Sequence, residues 1–429
     1  MNNSISLRDL LQKDRTKSIL ASIICVLGGI LVGFIVLLLL SIFASDIEIG
    51  EAFQGLALIL GGPFGAGNST DVLFQFGDMI LEATPLLMTG LSVALAFKTG
   101  LFNIGAPGQY LIGAMSSLLV ALSIPTTEGS AFFVWLLAFI AGIVGGMIWG
   151  AIPGLFKALF NVNEVIVCIM TNWIAANLVS WVFFSTGDKF INIAETKSKF
   201  IRPTITNGVA TPRLGLDKLF PGSNIDIGIF IAVLFAVLVY IILNKTTFGY
   251  ELKACGFNKN AAKYAGMNEK RNIILSMMIA GGLAAGGAAL WYLNGKNDFL
   301  WNTYGSLPNE GFNGIPVALL ASNNPIGVIF SAILIRYIGK GGFNLAGYTQ
   351  FNEYVSQLIV AVIIYFAGLS KFISEFITKA MNRKKEKQNN VAAIKNSDSG
   401  TNENSSDKVD TSESDSPQSA TQNAEEVEK

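Results

Sequence analysis

The chain contains no histidine, and only 14% of its 429 residues are charged, against about 25% in a soluble domain. The first absence removes Cys/His metal sites, and the second leaves too little polar surface for a water-soluble body. Cysteine is nearly absent too. Cys25, Cys168 and Cys255 are far apart and odd in number, which rules out a readable disulfide framework and leaves them as small packing residues. No G-x-x-x-x-G-K-[ST] loop occurs, so nucleotide is not bound by that route; Gly339-Lys340-Gly341 lacks both the upstream glycine and the following Ser or Thr. Neither H-E-x-x-H nor a nucleophile elbow is present, so an intramembrane enzyme has no visible constellation. Formal net charge is zero and the acids gather at the C-terminus, so nothing supports nucleic-acid binding.

Hydrophobic residues make up 51% of the chain, with 44 glycines, and apolar runs near span length recur along it. These features predict an all-α polytopic membrane protein. Spans are expected at 19–44, 72–97, 101–122, 131–155, 165–184, 225–243, 273–293 and 354–373. The first run is too long for a signal-peptide core and follows Arg8, Lys13, Arg15 and Lys17, which puts residues 1–17 in the cytoplasm. The loop with Asp46, Glu48, Glu51 and Asp71 carries no Lys or Arg and suits the outside. The loop 185–224 holds six Lys or Arg residues, yet parity requires it to be external.

Residues 314–341 break the pattern. Two apolar pieces, 315–321 and 326–338, flank Ser322-Asn323-Asn324-Pro325, and Lys379, Arg383, Lys384, Lys385 and Lys387 place the end of the last span inside. Two half-helices that dip in and return would satisfy this, and so would a pair of tilted full crossings. The expectation is about eight spanning helices plus this broken or paired segment, eight to ten in all, within a membrane domain at 18–377. From Gln388 onward nine acids stand among Ser, Asn and Thr, so 378–429 reads as a disordered acidic cytoplasmic tail.

One polar island lies between apolar runs, at 251–271 within a cytoplasmic segment 244–272. There Ala254, Phe257, Ala261, Tyr264 and Ala265 recur at helical spacing opposite Asn258, Lys259, Asn260 and Lys263. Such a helix either docks a soluble partner through its apolar face or rests its lysines on anionic lipid. Gly256 and Gly266 are expected to bracket it. Elsewhere Asn103 and Gln109 sit beside Gly105, Pro107 and Gly108, as a polar pathway lining or an interfacial helix entry. Glu82, and Glu164 with Asn163 and Asn172, are further candidates, because ionisable groups within spans carry a functional presumption. Gly142, Gly146, Gly150 and Gly154 form a stripe for close helix packing or for a hinge, and Gly282 and Gly286 repeat the device.

Four stretches together resemble permease subunits of bacterial ABC importers of the branched-chain amino acid and simple-sugar type, nearest the nucleoside branch. They are ATPLLMTGLSVALAFKTGLFNIGAPGQ (83–109), NEVIVCIMTNWIA (163–175), FGYELKACGFNKNAAKYAGMNEKR (248–271) and GFNGIPVALLASNNPIG (311–327). The likeness covers roughly 20–377; Pro107 departs from the Glu common in relatives, and the acidic tail has no counterpart. The resemblance implies a passive channel half in the bacterial plasma membrane, both termini cytoplasmic, with no cofactor of its own and ATP and magnesium on a partner. It implies a cytoplasmic ABC ATPase, a second permease subunit as heterodimer, an external substrate-binding lipoprotein and surrounding lipid. It assigns coupling to Glu251, Lys253, Gly256, Phe257, Asn258, Ala261, Tyr264 and Gly266. Glu82, Asn103, Gln109, Glu164, Asn172 and Asn323 are the expected pathway residues for a nucleoside. A ribose- or galactose-type sugar is the alternative cargo, and an ion-coupled secondary transporter the alternative class.

Overall fold

Apolar runs too long for anything but helix set the architecture. The computed structural model describes residues 14–43, 47–127, 129–199, 209–301, 307–370, 372–376 and 378–379. The chain divides into Met1–Ile377 and Thr378–Lys429, and the helical bundle belongs to the first unit. Residues 1–13, Asp46 and the acidic tail from 380 onward lie outside the described residues.

The helices are α1 (Asp14–Phe43), α2 (Ile49–Gly61), α3 (Ser69–Lys98), α4 (Ala106–Ser123), α5 (Ala131–Phe160), α6 (Glu164–Thr186) and α7 (Gly228–Lys245). They continue with α8 (Thr247–Phe257), α9 (Lys259–Tyr264), α10 (Glu269–Tyr292), α11 (Asn309–Leu320), α12 (Pro325–Tyr348) and α13 (Glu353–Gly368). Among the described residues eight helices are long and apolar enough to cross a membrane, and the chain is a multi-pass membrane protein. A two-residue hairpin, β1 (Ile191–Asn192) against β2 (Lys197–Ser198), pairs Ile191 with Ser198.

Burial sorts the spans into layers. Within their apolar windows α3 is 83% and α10 78% buried, so these two form the centre; α1 at 28% and α7 at 33% form the rim. The centre closes at backbone distance. A Cβ on Gly146 of α5 would lie 2.1 Å from the Ala285 Cβ of α10, and one on Gly281 would lie 2.3 Å from the Gly146 carbonyl oxygen. Gly150 and Gly154 continue that seam against Met277 and Ile274, so the stripe is a packing surface. A smaller core of Leu37, Ile59, Leu345, Phe351, Ile359 and Ile363 joins α1 and α2 to α12 and α13.

Four expectations change. The loop 45–71 contains α2, whose Ala52, Gly55 and Ile59 face inward. The third span starts at Ala106, not 101, because residues 99–105 form a non-helical corner in which Thr99, Leu101, Asn103 and Gly105 are buried. The two pieces at 315–338 are unequal: α12 has 24 residues, about 36 Å, and is long enough to cross alone, whereas the 12 residues of α11, about 18 Å, are not. Asn294, Phe299 and Trp301, ahead of α11 in the chain, are buried. Hydropathy missed α12 because Arg336 and Lys340 interrupt its apolar run. Lastly, the polar island is two helices rather than one, broken at Asn258.

Candidate functional site: the helical face at one end and the polar groups behind it

The α8–α9 pair covers one end of the bundle. Thr246 caps α8, its Oγ1 accepting from Gly249 N (3.1 Å), and Gly249 lies so close to Ile242 that a Cβ there would be 1.9 Å from its carbonyl oxygen. The turn from α7 into α8 is therefore tight. Asn258 ends α8 and caps α9 with its Oδ1, which accepts from Ala261 N (3.0 Å). Gly266, at φ 80°, ends α9, as its sequence position implied. Gly256 does not bracket a helix. It lies inside α8 against the α3–α4 corner, where a Cβ would meet the Thr99 carbonyl carbon at 2.5 Å.

The inner side of the pair is anchored. Leu252, Cys255 and Ala262 are buried, and Glu251 Oε2 accepts from Arg271 (3.0 Å) and from Asn272 Nδ2 (3.3 Å), tying α8 to α10. Lys253 Nζ donates to Asn244 Oδ1 (3.4 Å). The outer side is bare: Phe257 is 96% exposed and Tyr264 93%, with Ala261 exposed between them. Two fully exposed aromatic rings on short, braced helices form a presentation surface.

Beside Phe257 opens a groove of about 520 Å³ lined by Lys98, Gly100, Lys253, Ser322, Asn323 and Glu375, among others. Asn323 thus stands with the α8 face and not among the buried amides. It turns the chain from α11 into α12 with Ser322, both left-handed at φ 57° and 50°.

Asn103, Gln109 and Asn172 are brought together behind the corner, essentially without exposure. Asn103 and Gln109 exchange amide bonds (2.8 and 3.1 Å), and Asn103 Nδ2 also donates to Ser92 Oγ (3.0 Å). Asn172 Oδ1 accepts from Gly108 N (2.9 Å), and its Nδ2 donates to the Ile104 carbonyl (3.0 Å). These amides bond the corner's backbone and one another in place of the helical bonds that the corner lacks. Glu164 lies apart, in the first turn of α6, paired with Lys157 (2.9 Å). Glu82 lies midway along α3 and meets Lys340 of α12 at 2.9 Å. Nearby Asp78 accepts from Lys296 (2.8 Å) and from Ser223 Oγ (3.3 Å). Sequence alone did not pair these residues, since the Glu82–Lys340 partners are 258 positions apart.

The family described as "Branched-chain amino acid transport system / permease component" matches residues 76–368. The guanosine ABC transporter permease protein NupP of Bacillus subtilis (strain 168) is 32% identical over 86% of this chain and 98% of its own length. The nucleoside ABC transporter permease protein NupB of Lactococcus lactis subsp. cremoris (strain MG1363) is 32% identical over 86% of this chain and 95% of its own. The glucose ABC transporter permease protein TsgB13 of Haloferax volcanii is 28% identical over 70% and 78%. No solved structure is a significant match. A helical bundle of eight long apolar spans with a braced pair of short helices at one end, matched over most of its length, belongs to this branched-chain amino acid transport permease family.

Proposed function

We propose that the chain is the membrane-spanning subunit of an ATP-driven importer of nucleosides, and that α8–α9 is where a cytoplasmic ABC ATPase docks. The observation that carries this is the exposed Phe257–Tyr264 face on helices anchored through Glu251 and Gly256. Aromatic side chains that fill a partner's groove commonly dominate binding energy, at about 2 kcal/mol or more each. On this reading the α8–α9 end is cytoplasmic. The start of α1 belongs to the same end, since Ser22 Oγ bonds the Leu320 carbonyl (2.8 Å) at the foot of α11. The end of α13 does too, with Ser370 Oγ on Leu319 (3.0 Å). Both termini then face the cytoplasm of a bacterial cell, and β1–β2 faces an external binding lipoprotein.

The chain binds no nucleotide of its own on this reading; ATP and magnesium reside on the ATPase, and a second, different permease subunit completes the pathway. Nucleoside cargo is supported by the two relatives that align over nearly their whole lengths. A simple sugar is the second reading, favoured by the glucose permease relative. Uptake of labelled guanosine in cells with and without the chain, competed by unlabelled nucleosides, bases, ribose and glucose, tests both. Competition by sugars alone overturns the nucleoside reading. Uptake that persists without any ATPase and stops when the ion gradient collapses overturns the importer reading.

A further inference from the structure

The exposed face of α6 differs from those of α1 and α7. On α1 the outward residues include Leu27, Leu31 and Ile35, and on α7 Phe230, Leu234 and Leu238, all plain hydrocarbon. On α6 the corresponding stripe runs Met170, Trp173, Asn177 and Trp181, at the spacing that stacks side chains along one side of a helix. These residues, with Ile174 and Leu178, line an open groove of about 530 Å³. That volume lies within the range of small-molecule sites.

Asn177 is the informative member. It stands about 20 Å into a 23-residue helix, near the middle of the apolar layer, and it is exposed. Its Nδ2 donates to the Trp173 carbonyl of its own helix (2.8 Å), which leaves Oδ1 to accept from an occupant. An amide facing hydrocarbon without a full set of bonds is costly, so lipid is a poor neighbour for this face. A close-packed helix is a poor neighbour as well. Membrane interfaces favour small residues, as the Gly146–Gly281 seam does, whereas this stripe is built of two indoles and a thioether around a groove.

We infer that the Trp173–Asn177–Trp181 stripe is the nucleobase-reading wall of the translocation path; the inference rests on the nucleoside importer reading above. A nucleobase has π faces that stack on indole and an edge N–H whose hydrogen bond Asn177 Oδ1 can accept. Ribose alone offers neither the face nor that edge. Two indoles one turn above and one turn below the amide let a base pass from one stacked position to the next. Met170 extends the polarizable surface toward the α8–α9 end.

The test uses the complete importer in cells, with labelled guanosine as probe. Asn177→Leu and Trp181→Ala each lower guanosine uptake about tenfold or more, Trp181→Phe stays within about threefold, and Phe230→Ala on the lipid-facing side of α7 leaves uptake unchanged. Membrane content and ATPase co-purification remain those of the wild type. An Asn177→Cys thiol reacts with a small polar thiol reagent, and guanosine slows that reaction while ribose does not. If the wild type takes up no guanosine, the nucleoside reading and this inference fall together. If it does and Asn177→Leu is fully active, the stripe faces lipid and only the inference falls. If Trp181→Ala loses uptake because the permease subunits no longer co-purify, the stripe is a subunit contact, and again only the inference falls.

Discussion

Gly100 and Gly256 meet backbone to backbone: a Cβ on Gly100 would lie 2.6 Å from the Gly256 Cα, and one on Gly256 would lie 2.6 Å from the Gly100 amide nitrogen. Gly100 also adopts φ 73°, which a side chain disfavours. The contact joins α8 directly to the corner at the end of α3, the most buried span. Thr99 of that corner is further bonded to Ser276 of α10. Displacement of α8 is thereby passed to the end of α3 by backbone contact and on to α10 through the Thr99 and Ser276 hydroxyls.

Gly256→Val therefore unseats α8. Overpacking of this kind costs about 1–3 kcal/mol, so the purified variant unfolds at lower temperature and loses most guanosine uptake. Gly256→Ala is milder and ranks between it and the wild type in both measurements.

The exposed rings and the neighbouring charges separate by salt dependence. Phe257→Ala is expected to release the ATPase and abolish uptake while the permease still inserts. Lys259→Ala and Lys263→Ala keep most activity, since Lys259 is only loosely paired with Glu269 at 3.9 Å. Pull-down of the ATPase at two salt concentrations checks the order. A reversed ranking assigns the segment to lipid contact.

Removing one partner of the Glu82–Lys340 pair leaves a lone charge within the spans. Glu82→Gln and Lys340→Met each destabilise by about 2 kcal/mol or more, and the double change recovers part of the loss. Thermal unfolding of the three variants in detergent gives the coupling energy, and strict additivity would show that the pair contributes nothing.

Asp226 supplies a pH dependence to a chain without histidine. Burial pushes its carboxyl from 3.8 up to about 7, against the opposing pull of the Gly228 N–H and Arg213. The folded chain then holds at Asp226 a proton that the unfolded chain releases near pH 4, so the Asp226 contribution to stability falls as pH rises from about 4 to about 7 and is level outside that window. Asp226→Asn keeps an acceptor for Gly228 N, now 2.7 Å from Oδ1, and removes the slope. Unfolding temperatures across that range measure it; a slope that survives the change rules out Asp226 as its source.

Sidedness is open to cysteine labelling. Asn323→Cys is reached from the cytoplasm and Gly347→Cys from outside, because α12 runs its full length between them. Reaction of both from one side would contradict the crossing.

The runs that became α1, α3, α5, α6, α7 and α10 were legible because each is predominantly apolar over span length, even where Asp78 and Glu82 interrupt α3, and the α8–α9 rings because helical spacing placed them on one side. What escaped depended on distant partners or on short elements. Lys340 reads as a loop residue until Glu82 is beside it. The thirteen residues of α2 fall below span length, so only their burial against α12 identifies them. Asn103, Gln109 and Asn172 look like pathway amides in the sequence, and only their mutual bonding reveals a buttress for the α3–α4 corner. Asn258 carries a capping side chain that period counting alone overlooks.

The smaller core has a consequence for how variation in the chain is read. The family match begins at residue 76, downstream of both α1 and α2. Those helices clip on through notches at backbone depth: a Cβ on Gly29 would strike Ile363 Cα at 2.8 Å, one on Gly55 the Leu345 side chain at 2.6 Å, and one on Gly341 Ile59 Cα at 2.6 Å. They act as a collar fastened to α12 and α13, so a substitution in α1 or α2 loosens the collar first. It reaches the α3–α10 centre through those two spans and through α11, whose Leu320 carbonyl Ser22 bonds.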